Sequence, residues 1–469
     1  MEVMVRAANR SEAERSEAAL LASIGRQNLI LSAWSSVSEL SHWVATQGNA
    51  IKVSRDLLDV LALFDYWREE TSGALNASAE TAGRLWQRTA LEHRQPTQSE
   101  IAQAVNSMQK QHWQLDQVNG TATHLTDTPL ALASFTKGYI AGHAADAALA
   151  AGATGVVFNI GGDIIVRGNI TQLVDIANPL ADAENDAAID QIVLQNRAVA
   201  TSGSYRRGFS FTTPFSRRPE FSHILDPRTG RPAGHILSST VIANDPATAG
   251  AVATAFSVLT VDESRSLAAR TGSVEYLLLT RNGDRIASDG WKSYQTPALL
   301  TASYAAPAST APAVPAESAW SQGFELDINL ELARINDFRS HRPYVAVWVE
   351  DQDHLPIRTI SLWFGKMRYL EELRSWYHGE QRRGNGNDII RTVSSATRSP
   401  GRYTLKWDGK DDKGEFVKAG KYSICVEAAR EHGTYQIIRQ EMDFNGKPQQ
   451  VTLPGGIEIG AAALDYHKR

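Results

Sequence analysis

An α+β domain followed by a β-sandwich is the fold this sequence predicts, on three observations. Through residues 1–303 helix-period and strand-period segments alternate with frequent hairpin turns, which favours α+β over a doubly wound parallel sheet. Residues 304–319, YAAPASTAPAVPAESA, are nearly uncharged and rich in Ala, Pro and Ser; they cannot bury a core and read as a semi-extended linker. Residues 320–469 then carry short strand-like runs between turn residues, the spacing of a β-sandwich. A chain of 469 residues also exceeds one ordinary core.

The elements follow in order. Glu2 to Ala7 reads as a strand with nothing before it, as expected of a chain whose natural start was processed or misplaced. Ala13–Ser32 has a helical apolar stripe of Ala19, Leu20, Ile24, Leu29 and Ile30. Ser54–Ser72 is a second helix with Leu57, Leu58, Leu61, Leu63 and Phe64 inward, and Glu100–Trp113 a third. Lys137–Ala151 is so alanine-rich that it suits close packing against a neighbour. Strands follow at Gly155–Ile160, Ile164–Arg167, Ala198–Thr201 and Ser238–Ala243. Asp245 caps a helix Pro246–Leu259, with proline at its first position. Glu275–Thr280 is a strand that Arg281-Asn282-Gly283-Asp284 turns into a hairpin. In the second region the strands are Glu325–Leu332, Tyr344–Glu350, Arg358–Phe364, Gly401–Trp407, Gly420–Glu427 and Gln436–Phe444, with one helix within Lys366–Gly379.

Composition narrows the function. A formal net charge of −5, with no basic run, argues against a general nucleic-acid binder. No apolar run reaches the roughly 18 residues of a membrane span, and Met1–Arg15 lacks a signal-type apolar core. The single cysteine, Cys425, excludes an intrachain disulfide. The twelve histidines form no metal-spaced cluster.

Four segments carry candidate chemistry. They are Phe135-Thr136-Lys137-Gly138-Tyr139 opening a helix, Asn159-Ile160-Gly161-Gly162-Asp163 closing a strand, Ala200-Thr201-Ser202-Gly203 before Tyr205-Arg206-Arg207, and Ser222-His223-Ile224-Leu225-Asp226-Pro227-Arg228-Thr229-Gly230. Singly, each has a structural reading: a charged first turn, a tight turn, a good β-turn. Together they suit a phosphate and flavin site. Glycine turns let backbone N–H groups approach an anion, a helix N-terminus adds a favourable dipole, and Lys137, Arg206 and Arg207 offset diphosphate charge.

In order and wording these segments resemble the FAD:protein FMN transferases, the ApbE-like family, whose members carry KGY, GGD, ATSG-x-YRR and HIIDPRTG motifs and a late A-D-A-L-A-T-A helix. Ser32-Ala33-Trp34-Ser35 with Ser38-Glu39-Leu40-Ser41, and Ser72-Gly73-Ala74-Leu75-Asn76, resemble further upstream segments. The resemblance spans roughly Glu2 to Trp291. It implies a T-fold-like domain that binds FAD and Mg²⁺ and transfers FMN to a Ser or Thr hydroxyl of an acceptor protein, releasing AMP. Positioning and charge neutralisation dominate such phosphoryl-group transfer. Mapped here, Trp34 packs on the flavin. Ala74, Leu75, Asn76, Ala131, Gly162, Asp163, Ser202 and Leu225 line the cofactor, and Lys137 reaches its phosphates. His223 either handles the acceptor proton or hydrogen-bonds a loop.

The metal set departs from the pattern. The family holds Mg²⁺ with a carboxylate and a threonine one turn apart on the late helix, plus a backbone carbonyl near KGY. Here the threonine is Thr254, the carbonyl falls to Ser134, and the carboxylate position is Gly250. Asp245 lies about half a turn out of phase and roughly 13 Å along the axis, so it is the cap. Asp163 is the one candidate replacement. Ala131 stands where the family often has an acidic or amide residue, Asn76 stands where an aspartate is expected, and the family's Met-Gly-Thr ahead of the first helix is missing. Mg²⁺ normally needs one or two carboxylates, so three readings stay open: a transferase with relaxed or relocated metal coordination, a flavin binder that no longer transfers, or a fold retained as scaffold.

Past the linker, Trp407-Asp408-Gly409 leading to Ala419-Gly420-Lys421-Tyr422 resembles the hairpin of bacterial Ig-like modules, and the stretch from Trp320 resembles a domain of unknown function from predicted periplasmic proteins. Asp408, Asp411 and Asp412 lack EF-hand spacing and read as a solvated turn rather than a calcium site. The resemblance implies a periplasmic location, and a role for this domain in binding a partner or positioning the first. No D/S-G-A-T/S tetrapeptide occurs, so self-modification at the family's usual motif is not expected.

Overall fold

A computed structural model describes residues 1–204, 208–209, 221–296, 320, 323–335, 342–365, 367–384, 394–395, 397–431 and 433–469. The expected linker 304–319, and Tyr205, Arg206 and Arg207, lie outside these residues. The chain divides into two compact units, Met1–Pro179 with Asp190–Gln295, and Leu180–Ile189 with Thr296–Arg469.

The first unit begins β1 (Glu2–Arg6), α1 (Arg10–Leu31), α2 (Glu39–Ala45), β2 (Ala50–Lys52), α3 (Arg55–Glu70), α4 (Glu80–Leu91), α5 (Gln98–Met108), β3 (Trp113–Asp116), β4 (Thr121–His124) and α6 (Ala133–Ala150). It continues β5 (Gly155–Ile160), β6 (Asp163–Gly168), β7 (Gln172–Ile176), β8 (Asp190–Leu194), β9 (Ala198–Gly203), and the short β10 (Gly208–Phe209), β11 (Phe221–Ser222), β12 (Leu225–Asp226) and β13 (Arg231–Pro232). It ends with β14 (Ile236–Ala243), α7 (Pro246–Phe256), α8 (Val261–Thr271), β15 (Glu275–Thr280) and β16 (Arg285–Ala287). Its main sheet has seven strands in the order β1-β5-β6-β9-β14-β15-β16. Every pairing in it is antiparallel, so the α+β expectation holds. The lone N-terminal strand finds its partner in β5, Glu2 opposite Asn159.

Helices cover that sheet by means of small residues. In α6 the buried positions include Gly138, Ala141, Gly142, Ala144, Ala145 and Ala148; in α7 they include Ala247, Ala249, Gly250, Ala251 and Ala253. A Cβ on Gly138 would collide with the Pro246 carbonyl and sit 2.7 Å from its carbon, and one on Gly142 would lie 3.1 Å from Pro246 Cγ. The backbones therefore touch where KGY meets the start of α7. The face of α1 that packs inward is Ser16, Leu20, Ser23, Gln27 and Leu31. The expected stripe is corrected at Leu29, 61% exposed: the i, i+4, i+7 row that includes Leu20 and Leu31 excludes it.

The second unit is built from β17 (Phe324–Leu332), β18 (Tyr344–Glu350), β19 (Pro356–Trp363), α9 (Arg374–Arg383), β20 (Ser394–Ser395), β21 (Gly401–Trp407), β22 (Gly420–Ala429), β23 (Tyr435–Phe444), β24 (Gln449–Leu453) and β25 (Ile459–Lys468). Sheets ordered β21-β17-β25-β24 and β20-β19-β18-β22-β23 enclose one core, in which Leu326, Ile328 and Leu464 of one sheet join Val345, Val347 and Val426 of the other. The outer face of the second sheet packs Ala346 and Trp348 under Leu373 and Trp376 of the α9 region. With both faces covered, β18 is buried at every position, which is why Tyr344–Glu350 is a continuous apolar run rather than an alternating one. Glu427 caps α9 from the sheet, accepting from the Ser375 and Trp376 amides at 2.9 Å each.

Leu180–Ile189, which the sequence reading kept in the first domain, goes with this unit. The Glu184 amide donates to the Thr404 carbonyl at 2.8 Å, and the Asn185 side chain exchanges two bonds with the Lys406 backbone at 2.7 and 2.8 Å. These bonds occupy β21, an edge strand whose free amides and carbonyls need partners.

Gly138→Ala should lower unfolding free energy by about 1–3 kcal/mol, because overpacking meets backbone rather than a movable side chain. Gly25→Ala, in exposed α1 with nothing within 4 Å of its added Cβ, should instead stabilise by roughly 0.5–1 kcal/mol. Urea unfolding of the two variants against the parent checks both signs.

Candidate functional site

Lys137 does not open its helix. α6 starts at Ala133, behind Leu132, which gives no side-chain cap, so Lys137 belongs to the second turn and the dipole's free amides belong to the residues ahead of it. The helix is longer than expected because Ala133, Ser134 and Phe135 offer nothing to stop it. Lys137 Nζ, half exposed, lies 3.1 Å from Asp163 Oδ2.

Asp163 is placed by a two-residue hairpin. Ile160 pairs with Asp163 across β5 and β6, and the loop residues Gly161 and Gly162 have φ of 67° and 99°. Both central residues of such a turn need the left-handed region, which glycine supplies. No atom lies within 4 Å of a Cβ at either, so conformation rather than space demands glycine here. The Gly162 amide donates to Asn159 Oδ1 at 3.3 Å. Asp163 also accepts from the Thr201 backbone, and burial pushes its carboxyl above its ordinary 3.8 although Lys137 pulls the other way.

From β9 the contacts run back to α6. Ser202 Oγ lies 3.5 Å from Thr254 Oγ1, which donates to the Gly250 carbonyl at 2.9 Å. A Cβ on Gly250 would stand 3.3 Å from Phe135 Cα and 3.4 Å from the Ser134 carbonyl oxygen. Ser134, Lys137, Asp163, Ser202, Gly250 and Thr254 thus form one closed neighbourhood, with Gly162 at its rim. Asp245 caps α7 as expected, accepting from the Thr248 amide at 2.7 Å. Thr201 is a member that the sequence reading passed over; its alternation with Ala200 in ATSG was the available signal.

The donors present do not make a magnesium site of the family kind. Ser134 offers its carbonyl and Thr254 its hydroxyl oxygen, but α7 brings no carboxylate and Asp163 is already paired with Lys137. Among the described residues the one cluster of His and carboxylates with ligand atoms within 4.8 Å of one another is Glu325, Asp327 and His467, in the second unit. Glu325 there already faces Arg469 at 2.9 Å and Lys406 at 3.5 Å. The carboxylates considered for calcium are similarly engaged: Asp411 accepts from the Lys413 and Glu415 amides, and Asp412 pairs with Arg383.

The expected flavin-side residues behave differently. Ala74 and Leu75 are buried in the main core and Leu225 packs with Trp86 and Met108, so a ligand could meet their backbone rather than their side chains. Asn76 is engaged locally: its Oδ1 accepts from the Ser78 amide and hydroxyl, and its Nδ2 donates to the Met108 carbonyl at 3.1 Å. The Ala131 amide ties its loop to the Ala77 carbonyl at 2.8 Å. Trp34, by contrast, is 98% exposed, on a loop braced by Ser38 Oγ to the Ser32 carbonyl and Ser41 Oγ to the Ser35 carbonyl.

His223 is exposed between β11 and β12, where the Ile224 amide bonds Ser222 Oγ at 2.9 Å. The DPRTG run after it is structural. Asp226 binds the Arg228 amide and guanidinium, Arg228 reaches Glu263 at 2.9 Å, and Trp86 Nε1 donates to the Gly230 carbonyl.

The corner, with its lysine, double-glycine turn and threonine helix, is backed by the antiparallel sheet of an α+β domain. The chain belongs to the ApbE family, whose profile matches residues 1–278; a second profile, "Predicted periplasmic protein (DUF2271)", matches residues 325–461. A FAD:protein FMN transferase of Klebsiella pneumoniae is 26% identical over 64% of this chain and 85% of its own. One of Haemophilus influenzae is 29% identical over 55% and 76%. Among solved structures, the ApbE protein of Thermotoga maritima superposes with a TM-score of 0.54 at 24% identity, covering 63% of this chain and 94% of that one. The apo flavinyl transferase ApbE of Pseudomonas stutzeri gives 0.51 at 20% identity, covering 63% and 93%. No helix among the described residues is long and apolar enough to cross a membrane.

Because burial raises the Asp163 carboxyl above 3.8, folding favours its neutral form. The stability tied to that proton is complete below the unfolded value and is lost as pH climbs through the folded one. Relative to Asp163→Asn, which cannot ionise, the parent should lose stability over the pH range that begins at about 4. Unfolding both proteins across that range checks the sign, and a pH-independent difference would contradict it.

Proposed function

We propose that the first unit transfers the FMN half of FAD to a Ser or Thr hydroxyl of an acceptor protein, in the periplasm, releasing AMP. The acceptor oxygen attacks the phosphorus on the FMN side, the bond to the bridging oxygen breaks, and that oxygen leaves with AMP. His223 takes the hydroxyl proton in this reading. Lys137 faces the phosphates, the side-chain-free Gly161-Gly162 turn lets backbone approach beside them, and the exposed Trp34 indole is available to stack on the isoalloxazine ring. The observation that carries the proposal is the meeting of the lysine helix, the double-glycine turn and the threonine helix in one neighbourhood; the curated relatives named FAD:protein FMN transferase support the chemistry.

A second reading has one observation in its favour. Gly250 withholds the helix carboxylate, so a protein that binds flavin without transferring it would also carry this corner. The separating experiment incubates the purified chain with FAD, MgCl₂ and a carrier protein bearing a D/S-G-A-T/S tetrapeptide. In-gel flavin fluorescence on the denatured carrier is expected; FAD uptake without covalent label selects the binder. Trp34→Ala should leave unfolding free energy within about 0.5 kcal/mol of the parent and weaken FAD binding about tenfold, read by flavin fluorescence titration.

A further inference from the structure

How the corner balances charge has a consequence that rests on the nucleotide-site reading above. We infer that this chain grips its dinucleotide without a protein-held divalent cation, the Lys137 ammonium being the positive charge that meets the pyrophosphate. Three observations converge on this. The first is charge. Among the six residues of the neighbourhood only Lys137 and Asp163 ionise, and they pair at 3.1 Å, so their charges cancel. A carboxylate at 250 would make the corner negative and call for a cation; glycine removes that demand.

The second is donor commitment. Thr254 Oγ1 donates to the Gly250 carbonyl at 2.9 Å and keeps only uncharged lone pairs to offer, and the neighbourhood's one carboxylate, Asp163, is already shared with Lys137. Mg²⁺ demands near-octahedral oxygen ligands, usually with one or two carboxylates, and apart from Asp163 these residues offer only the Ser134 carbonyl and the Ser202 and Thr254 hydroxyls, all uncharged. The third is room. With a Cβ at 250 already 3.3 Å from Phe135 Cα and 3.4 Å from the Ser134 oxygen, α6 leans on α7 more tightly than an acidic side chain would leave comfortable. Among the described residues an incoming phosphate competes with Asp163 for Lys137, and half of the lysine is open to solvent.

The test measures FAD affinity of the full-length chain by fluorescence titration in millimolar MgCl₂ and in EDTA. The two dissociation constants are expected to agree within about threefold, and Lys137→Met to weaken binding by about tenfold or more in both buffers. Tightening by magnesium of about tenfold or more overturns the inference while leaving the proposed function standing. If Asp163→Ala abolishes that tightening, the relocated carboxylate is the ligand instead. Absence of FAD binding in either buffer overturns the function and the inference together. Unchanged affinity in Lys137→Met, with the parent insensitive to magnesium, removes the ammonium from its assigned place and overturns the inference as well.

Discussion

Backbone contact between α6 and α7 is the constraint on which the candidate site depends. Gly138 faces the Pro246 carbonyl with no space for a methyl group, and Gly142 and Gly250 extend the seam on either side. Helices that approach this closely bring the Ser134 carbonyl of one beside the Thr254 turn of the other. Lys137, the residue before the tightest glycine, is then left on the open side, within reach of the turn that carries Asp163. Interiors are packed too densely to absorb bulk at such a seam without moving an element. The glycine of KGY is therefore a spacer as much as a sequence marker.

The second unit reaches its precision by the opposite means, through large rings. Trp320, Trp407, Phe444 and Tyr466 pack with centroids about 5 Å apart. Gly409, with φ of 80°, leaves space for the Trp320 ring, against which a Cβ would collide. The Trp-Asp-Gly signature is thus a packing device at the sandwich's end. Cys425, the one thiol, is buried among these strands with its pKa pushed up by burial; a thiol so held is an inert core residue rather than a nucleophile.

Much of this was legible in the sequence where period and punctuation agree. Gly155–Ile160, Glu275–Thr280, Tyr344–Glu350 and Gly401–Trp407 are strands with the bounds that apolar runs and turn residues set. The Asp245 cap followed from Asp-Pro ahead of an alanine helix. Elements whose pattern is diluted escaped: α4 hides Ala82, Leu85 and Trp86 around Gly83, and β25 runs through three alanines after a double glycine. The arm Leu180–Ile189 could not be assigned from its own residues, because its partners, Thr404 and Lys406, lie more than two hundred positions away. In the site, residue types were readable and side-chain directions were not. Asn76 has the chemistry of a ligand contact but turns its Oδ1 to Ser78 and its Nδ2 to the Met108 carbonyl.

Gly250 gathers these strands of argument. Read along the chain, it is a position where a metal-binding carboxylate is missing. Read across the helices, it is the third glycine of a close seam, and the two descriptions are linked. A carboxylate at that point would need the adjacent Phe135 backbone to withdraw by a few tenths of an ångström, and it would add a negative charge beside a neutral ion pair. Losing it removes both requirements at once. The tight α6–α7 packing and the Lys137–Asp163 pairing form a self-consistent arrangement around that glycine.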